Sequence, residues 1–277
     1  MTPCEPRAIV IGDVHGCARE LRTLLRRVKV QPGCDMVFFT GDIIGKGPDS
    51  VEALREVRSL MLSNPLVEAL MGNHEAGFLR WLDAKAANAP LKETSNSPDR
   101  LSWSTTLTAE ELKWVRDRPL QLALPADFGN VLVVHAGMEP GKPPSQQSRD
   151  NLLTIRSLLP NGTGTALAGK GGQRGSWAAR WRGPEHIVFG HDARRKLQRH
   201  GFATGLDTGL VYGGKLTALI LRPTNSSEPG PSFLYGGRLM QVSAQKGSCA
   251  RQASPRGGGG GGGGGWRGRK RGKSQAE

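Results

Sequence analysis

The chain has 277 residues, with 38 Lys and Arg against 24 Asp and Glu, a formal charge of +14 at neutral pH and four cysteines. That length allows a sizeable core in one domain, and no run reaches the roughly 18–20 apolar residues that cross a bilayer. The opening Met1-Thr2-Pro3-Cys4-Glu5-Pro6 lacks the apolar centre of a signal peptide, so a cytoplasmic protein without membrane contact is expected, and a monomer. Cys4, Cys17, Cys34 and Cys249 show no Cys-x-x-Cys spacing and are expected to be reduced thiols.

Along the chain, an apolar run at 9–11 predicts a buried strand ending in Gly12-Asp13-Val14-His15-Gly16. Leu21, Leu24 and Leu25 share one face of a helix over 18–28. A strand at 36–39 leads into Gly41-Asp42-Ile43-Ile44-Gly45-Lys46-Gly47, and Pro48-Asp49-Ser50 opens a helix over 50–62. A third strand, 67–71, leads into Gly72-Asn73-His74-Glu75. Residues 83–104 are poor in bulky apolar side chains and read as a lid or insertion, after which Thr108-Ala109-Glu110-Glu111 is a capping box. Runs at 131–134 and 187–189 predict strands ending in His135-Ala136-Gly137 and Gly190-His191-Asp192. Loops at 140–150 and 161–175 would border a substrate mouth, and 206–221 alternates around Gly213-Gly214 as a hairpin does.

From about residue 225 the composition changes. Nine Lys and Arg stand against two acidic residues, a surplus of seven and half of the chain's formal charge. An unbroken glycine run at 257–265 precedes Trp266-Arg267-Gly268-Arg269-Lys270-Arg271-Gly272-Lys273. This segment cannot bury a core and is expected to be a disordered tail over 225–277. It would contact RNA or another polyanion, or act as a nuclear localisation signal. The boundary at 224 is soft, because 233–242 could still add a strand.

Five polar motifs thus follow five apolar runs, where loops at the carboxyl edge of a sheet turn side chains into one cavity. Asp13, His15, Asp42, Asn73, His135 and His191 offer carboxylate, amide and imidazole donors and no thiolate. Such a set suits two divalent ions such as manganese, iron, zinc, cobalt or magnesium and differs from a Cys-rich structural zinc site. Two ions roughly 3.5–4 Å apart need a bridging carboxylate, for which Asp42 is the candidate. Water ionised between them would attack phosphorus directly, with no covalent intermediate.

The motif series, together with Gly205-Leu206-Asp207-Thr208-Gly209 and Tyr212-Gly213-Gly214-Lys215-Leu216-Thr217-Ala218, resembles the calcineurin-like metallophosphoesterase superfamily. Within its phosphoprotein-phosphatase branch it is similar to the ApaH-like phosphatases, relatives of bacterial symmetrical diadenosine tetraphosphatase. The resemblance covers about 8–221. It implies an α/β fold, a four-layer α-β-β-α sandwich forming a single domain over 1–224. It also implies roles: Asp13 and His15 as ligands of a first metal, Asn73, His135 and His191 of a second, Asp42 between both, and His74 as the catalytic histidine that protonates the leaving oxygen. Asn73 would also meet the substrate.

One departure matters. Where the protein phosphatases and the bacterial enzyme carry an Asp-Arg pair, this chain has Gly45-Lys46, so the carboxylate that orients the histidine and the bidentate guanidinium are both missing. Lys46-Gly47-Pro48 is similar to the ApaH-like form, which implies dinucleoside polyphosphates or inorganic polyphosphate as substrates and, in some members, RNA caps. Lys46 is a substrate-binding candidate, and either Arg174 or Arg180 would clamp phosphate. A serine/threonine phosphoprotein phosphatase and a non-catalytic RNA-binding scaffold are the alternatives.

Overall fold

The computed structural model describes residues 4–89, 102–167, 175–224, 237–245 and 249. Twelve strands are found among them. Five form one sheet in the order β12-β11-β1-β2-β3: β1 (Ala8–Ile11), β2 (Met36–Phe39), β3 (Val67–Ala69), β11 (Lys215–Leu221) and β12 (Arg238–Ser243). Five more form a second in the order β4-β5-β8-β10-β9: β4 (Gln121–Ala123), β5 (Val131–Val134), β8 (His186–Phe189), β9 (Gln198–His200) and β10 (Ala203–Gly205). A short ribbon pairs β6 (Ser157–Leu158) with β7 (Gly164–Thr165). The central strands are parallel in both sheets, β1 with β2 and β3, and β5 with β8 and β10.

Side-chain alternation explains the layering. On β1, Ile9 and Ile11 join Leu21 and Leu24 of α1 (Ala18–Val28) and Val57 of α2 (Ser50–Ser63) in one buried cluster. Ala8 and Val10 point the other way, into a cluster with Phe38, Val131, Val133, Val188 and Leu219 that lies between the sheets. The far face of the second sheet is covered by Leu152 of α5 (Arg149–Thr154), Trp177 and Trp181. Strands buried on both faces read as continuous apolar runs, which is why AIVI, MVFF, VLVV and HIVF announce themselves. The resulting order, helix, sheet, sheet, helix, is the four-layer sandwich. A further cluster packs α3 (Asn73–Ala86) with Leu54, Leu153 and Val115 of α4 (Ala109–Arg116). That last helix starts as expected, with Thr108 Oγ1 accepting from Glu111 N–H.

Several expectations need correction. The block 206–221 is not a two-stranded hairpin: one antiparallel bridge, Thr208 with Lys215, closes a 3₁₀ turn at Leu210–Tyr212, and β11 pairs instead with β1 and β12. β12 lies beyond 224, so the folded unit extends at least to Ser243, and the possible strand at 233–242 that made the boundary soft is present and caps the sheet edge. The first part of the expected insertion, to Ala86, belongs to α3, while 90–101 falls outside the described residues. So does the predicted tail over 225–277, apart from 237–245 and Cys249. The cysteines are paired, Cys4 with Cys34 and Cys17 with Cys249. Their sequence separations of 30 and 232 residues exceed anything that local spacing reveals. Among the described residues no helix is long and apolar enough to cross a membrane.

Candidate metal centre

The parallel strands end on one side of the sandwich, and each delivers its motif there. Asp13 and His15 follow β1, Asp42 follows β2, Asn73 and His74 open α3 after β3, His135 follows β5, and His191 follows β8. All the acidic and imidazole members are buried, none more than 6 % exposed. The backbone is strained where it must aim them: His15, Asp42 and His191 have φ of 50°, 51° and 66°, in the left-handed region that side chains with a Cβ avoid. Gly190 makes the convergence possible, because a Cβ there would lie 2.0 Å from Asp13 Oδ1.

Two sets of donor atoms meet at Asp42. Asp42, His15 and His74 place ligand atoms within 4.8 Å of one another, and so do Asp42, His135 and His191. His15 Nε2 lies 3.6 Å from Asp42 Oδ2 and 3.9 Å from Asp13 Oδ2, while His135 Nε2 lies 3.5 Å from Asp42 Oδ1. Asn73 Oδ1 joins the second set, 3.1 Å from His135 Nε2 and 2.9 Å from His191 Nδ1.

Neighbouring carbonyls fix which ring nitrogen is available. A carbonyl can only accept, so His135 Nδ1, 2.9 Å from Thr40 O, carries the proton and leaves Nε2 with a lone pair toward Asp42. His191 Nε2, 3.2 Å from Thr154 O, likewise carries a proton and leaves Nδ1 as donor. Asp13 accepts from the His191 backbone N–H and from Thr40 Oγ1.

The electrostatics fit cations. Burial raises the Asp13 carboxyl well above its ordinary range, and repulsion from Asp207 and Asp42 adds to it. Burial likewise pushes Asp207 up to about 6. Burial would raise Asp42 too, but the facing His135, His74, His15 and Lys46 hold it below the usual carboxylate range. Burial lowers the imidazoles of His15, His135 and His191, which keeps them neutral as ligands must be, and it lowers that of His74 beside them. Three buried carboxylates and four neutral imidazoles are a set that divalent metal ions would complete. Lys46 Nζ, 3.1 Å from His15 Nε2, stands among them.

Position 45 gives physical meaning to the departure seen in the sequence. A Cβ on Gly45 would lie 2.5 Å from His74 Nδ1, so residue 45 sits directly against that ring, and His74 Nδ1 is buried with no hydrogen-bond partner. A carboxylate at 45 would face it. This chain offers none.

The site opens into a cavity of about 740 Å³ lined by Asp42, Asn73, His74, His191, Lys46 and Arg156, with Ala166, Leu167, Ala193, Arg194, Lys196, Asp207 and Tyr212 completing the wall. Ala166 and Leu167 come from the loop predicted to border the mouth. Arg180 is exposed at the end of the 3₁₀ turn Trp177–Ala179 and is not part of the cavity wall, and Arg174 lies outside the described residues. The arginine that the structure does bring to the donors is Arg156, between α5 and β6, partly buried, with Nη2 3.4 Å from His191 O and Nε 3.9 Å from Asp192 Oδ1. Sequence reasoning missed it. Its neighbours Ile155 and Ser157 form no motif, and only the packing of α5 beside His191 brings it in. Asp207, two residues beyond β10, lies in the Gly205–Gly209 stretch, where no imidazole or second carboxylate beside it marks a metal-binding motif. Glu75 was also missed, although its motif was seen: its carboxylate accepts from the backbone N–H of Asp42, Ile44 and Gly72 at 2.9, 3.0 and 2.9 Å.

A two-sheet sandwich that gathers buried carboxylate, amide and imidazole donors at the carboxyl ends of parallel strands has the architecture of a metallohydrolase. The chain belongs to the calcineurin-like phosphoesterase family, a family of phosphoester hydrolases whose description matches residues 6–204. It is 40 % identical over 135 residues to the symmetrical bis(5'-nucleosyl)-tetraphosphatase of Proteus mirabilis strain HI4320, covering 47 % of this chain and 44 % of that protein. The chain thus spans less than half the length of the curated relatives it matches. A crystal structure of a candidate diadenosine tetraphosphatase is similar at 31 % identity and TM-score 0.70, covering 89 % of this chain and 97 % of that one. A serine/threonine phosphatase from Saccharomyces cerevisiae shares the fold at 15 % identity and TM-score 0.54, covering 88 % and 82 %.

Proposed function

We propose that the protein is a two-metal-dependent phosphohydrolase that cleaves phosphoanhydride bonds of dinucleoside polyphosphates or inorganic polyphosphate. The observation that carries this reading is the Asp42 carboxylate, whose two oxygens face two donor sets, Oδ2 toward His15 after a strand of the first sheet and Oδ1 toward His135 after a strand of the second. Two divalent ions held there would supply Lewis-acid charge and ionise a water near neutral pH. Asp13 and His15 would hold one, Asn73, His135 and His191 the other, and Asp42 both.

The remaining work falls to the chain's own groups. Arg156 and Lys46 present cations to the same cavity and would hold phosphoryl oxygens, Arg156 through a fork that can meet two of them and Lys46 as a point charge. His74, on the first turn of α3, faces the cavity and would give a proton to the departing oxygen. Because Gly45 supplies no carboxylate, nothing at that position orients His74 or raises its basicity. Leaving groups that need little protonation, such as the phosphates of an anhydride, suit such a site better than the alkoxide of a serine ester. The names of the tetraphosphatases that the chain resembles support the same substrate class. The basic segment toward residue 277 would add contact with RNA or another polyanion.

The test is phosphate release by purified protein with manganese, cobalt, zinc or magnesium on diadenosine tetraphosphate, long-chain polyphosphate, capped RNA and a phosphopeptide. Metal-dependent turnover of the first two is expected, with a loss of at least about 1,000-fold in Asp42→Asn. Faster turnover of the phosphopeptide would restore the protein-phosphatase alternative, and near-normal rates in Asp42→Asn would refute the two-metal reading.

A further inference from the structure

Tyr212 stands apart from the rest of the cavity wall. It ends the 3₁₀ turn Leu210–Tyr212, held between Gly209 and Gly213, both in the left-handed region with φ of 75° and 86°. Leu210 and Val211 are buried in the core beneath the first sheet, so the turn is anchored by two of its three side chains while the third, Tyr212, is 63 % exposed. Backbone bonds from Tyr212 N–H and Gly214 N–H to Gly209 O close the turn on itself. A large ring is thus held at the surface by a fixed support, with most of its apolar area left to solvent.

The ring is also close to the metal-binding loops. Lys46 Nζ lies 5.5 Å from its centroid and 3.1 Å from His15 Nε2, so one side chain spans the gap between the ring and a proposed ligand. Among the described residues four large apolar side chains are exposed, and two of them, Tyr212 and Leu167, line this cavity. The exposed cations Arg194 and Lys196 line it as well. A wall that combines an uncovered aromatic ring with free cations is matched to a ligand with a flat π-face attached to several phosphates. Inorganic polyphosphate has the phosphates and no such face.

We propose that Tyr212 is the nucleobase platform of this cavity, stacking the base of a nucleotide whose phosphates reach the metal centre, and so selects nucleotides over inorganic polyphosphate. This deepens the phosphoanhydride-hydrolase reading and rests on it for the placement of the phosphates. Stacking is tolerant of base identity, so the platform favours nucleotides as a class and not one base.

Calorimetric titration of the metal-reconstituted full chain with ADP and with pyrophosphate tests it. The wild-type protein is expected to bind ADP about tenfold more tightly than pyrophosphate, Tyr212→Ala to lose that advantage while binding pyrophosphate unchanged, and Tyr212→Phe to keep it. In turnover, Tyr212→Ala should raise KM for diadenosine tetraphosphate about tenfold, leave kcat within about twofold and leave tripolyphosphate hydrolysis unaltered. Equal affinity of the wild-type protein for the two probes, or a Tyr212→Ala defect shared by both, overturns the platform. If the wild-type protein hydrolyses no phosphoanhydride yet prefers ADP through Tyr212, the catalytic reading fails and the platform stands.

Discussion

Glu75 shows how much of the centre depends on a residue that binds nothing itself. Its two oxygens receive three backbone N–H groups, from the loop that carries Asp42 and from the start of the helix that carries Asn73 and His74. Burial and the Asp42 charge push its carboxyl up to about 7, yet three converging donors require acceptors and therefore favour the ionised form. His74 N–H donates in turn to Asp42 Oδ1. Two donor-bearing segments are thus locked together by one side chain. Glu75→Ala should lower unfolding free energy by about 3 kcal/mol, since it leaves buried N–H groups unpaired, whereas Glu75→Gln, which keeps one acceptor oxygen, should lose about half as much. Urea denaturation of the two variants checks this, and equal stability of all three proteins would refute the clamp.

At the level of elements, β8 carries a polar residue into the second sheet before it delivers His191. His186 is buried, bonded through Nε2 to Thr204 Oγ1 of β10, and its Nδ1 has no partner. Burial lowers its pKa to about 4. A histidine that is harder to protonate folded than unfolded leaves the unfolded chain binding more protons between the two pKa values, so stability falls as pH drops from about 6.5 toward 4 and levels off below. The shift corresponds to about 3 kcal/mol. In metal-free protein, His186→Gln, which keeps a bond to Thr204 within reach, should flatten the fall in urea-derived stability between pH 7 and pH 4 by about that amount. An unchanged pH slope would show that the imidazole is not the group responsible.

Across the whole molecule, what the sequence discloses follows from how local each signal is. The strands β1, β2 and β5 are visible because burial on both faces leaves unbroken apolar runs, and Asp13, Asp42, His135 and His191 are visible because each follows such a run directly. The helix start at Thr108 is visible because the capping box is complete within four residues. Arg156 and the disulfide partners Cys17 and Cys249 depend on segments that meet only after folding, and no local pattern marks them. The edge strand β12 falls between the two cases: 233–242 reads as a possible strand, but its place against β11 appears only in the fold. One practical consequence concerns the basic segment. A truncation meant to remove it has to begin after Cys249, because a cut at 243 would also take a residue paired with Cys17 at the start of α1.

Donors from both sheets would share two divalent ions through Asp42. Elemental analysis of wild-type protein, reconstituted with manganese and freed of unbound ion by gel filtration, counts those ions. Two equivalents of metal per chain in the wild-type protein, and one or none in Asp42→Asn, are predicted. A wild-type protein that retains no metal, or an Asp42→Asn variant that still retains two equivalents, would contradict this sharing.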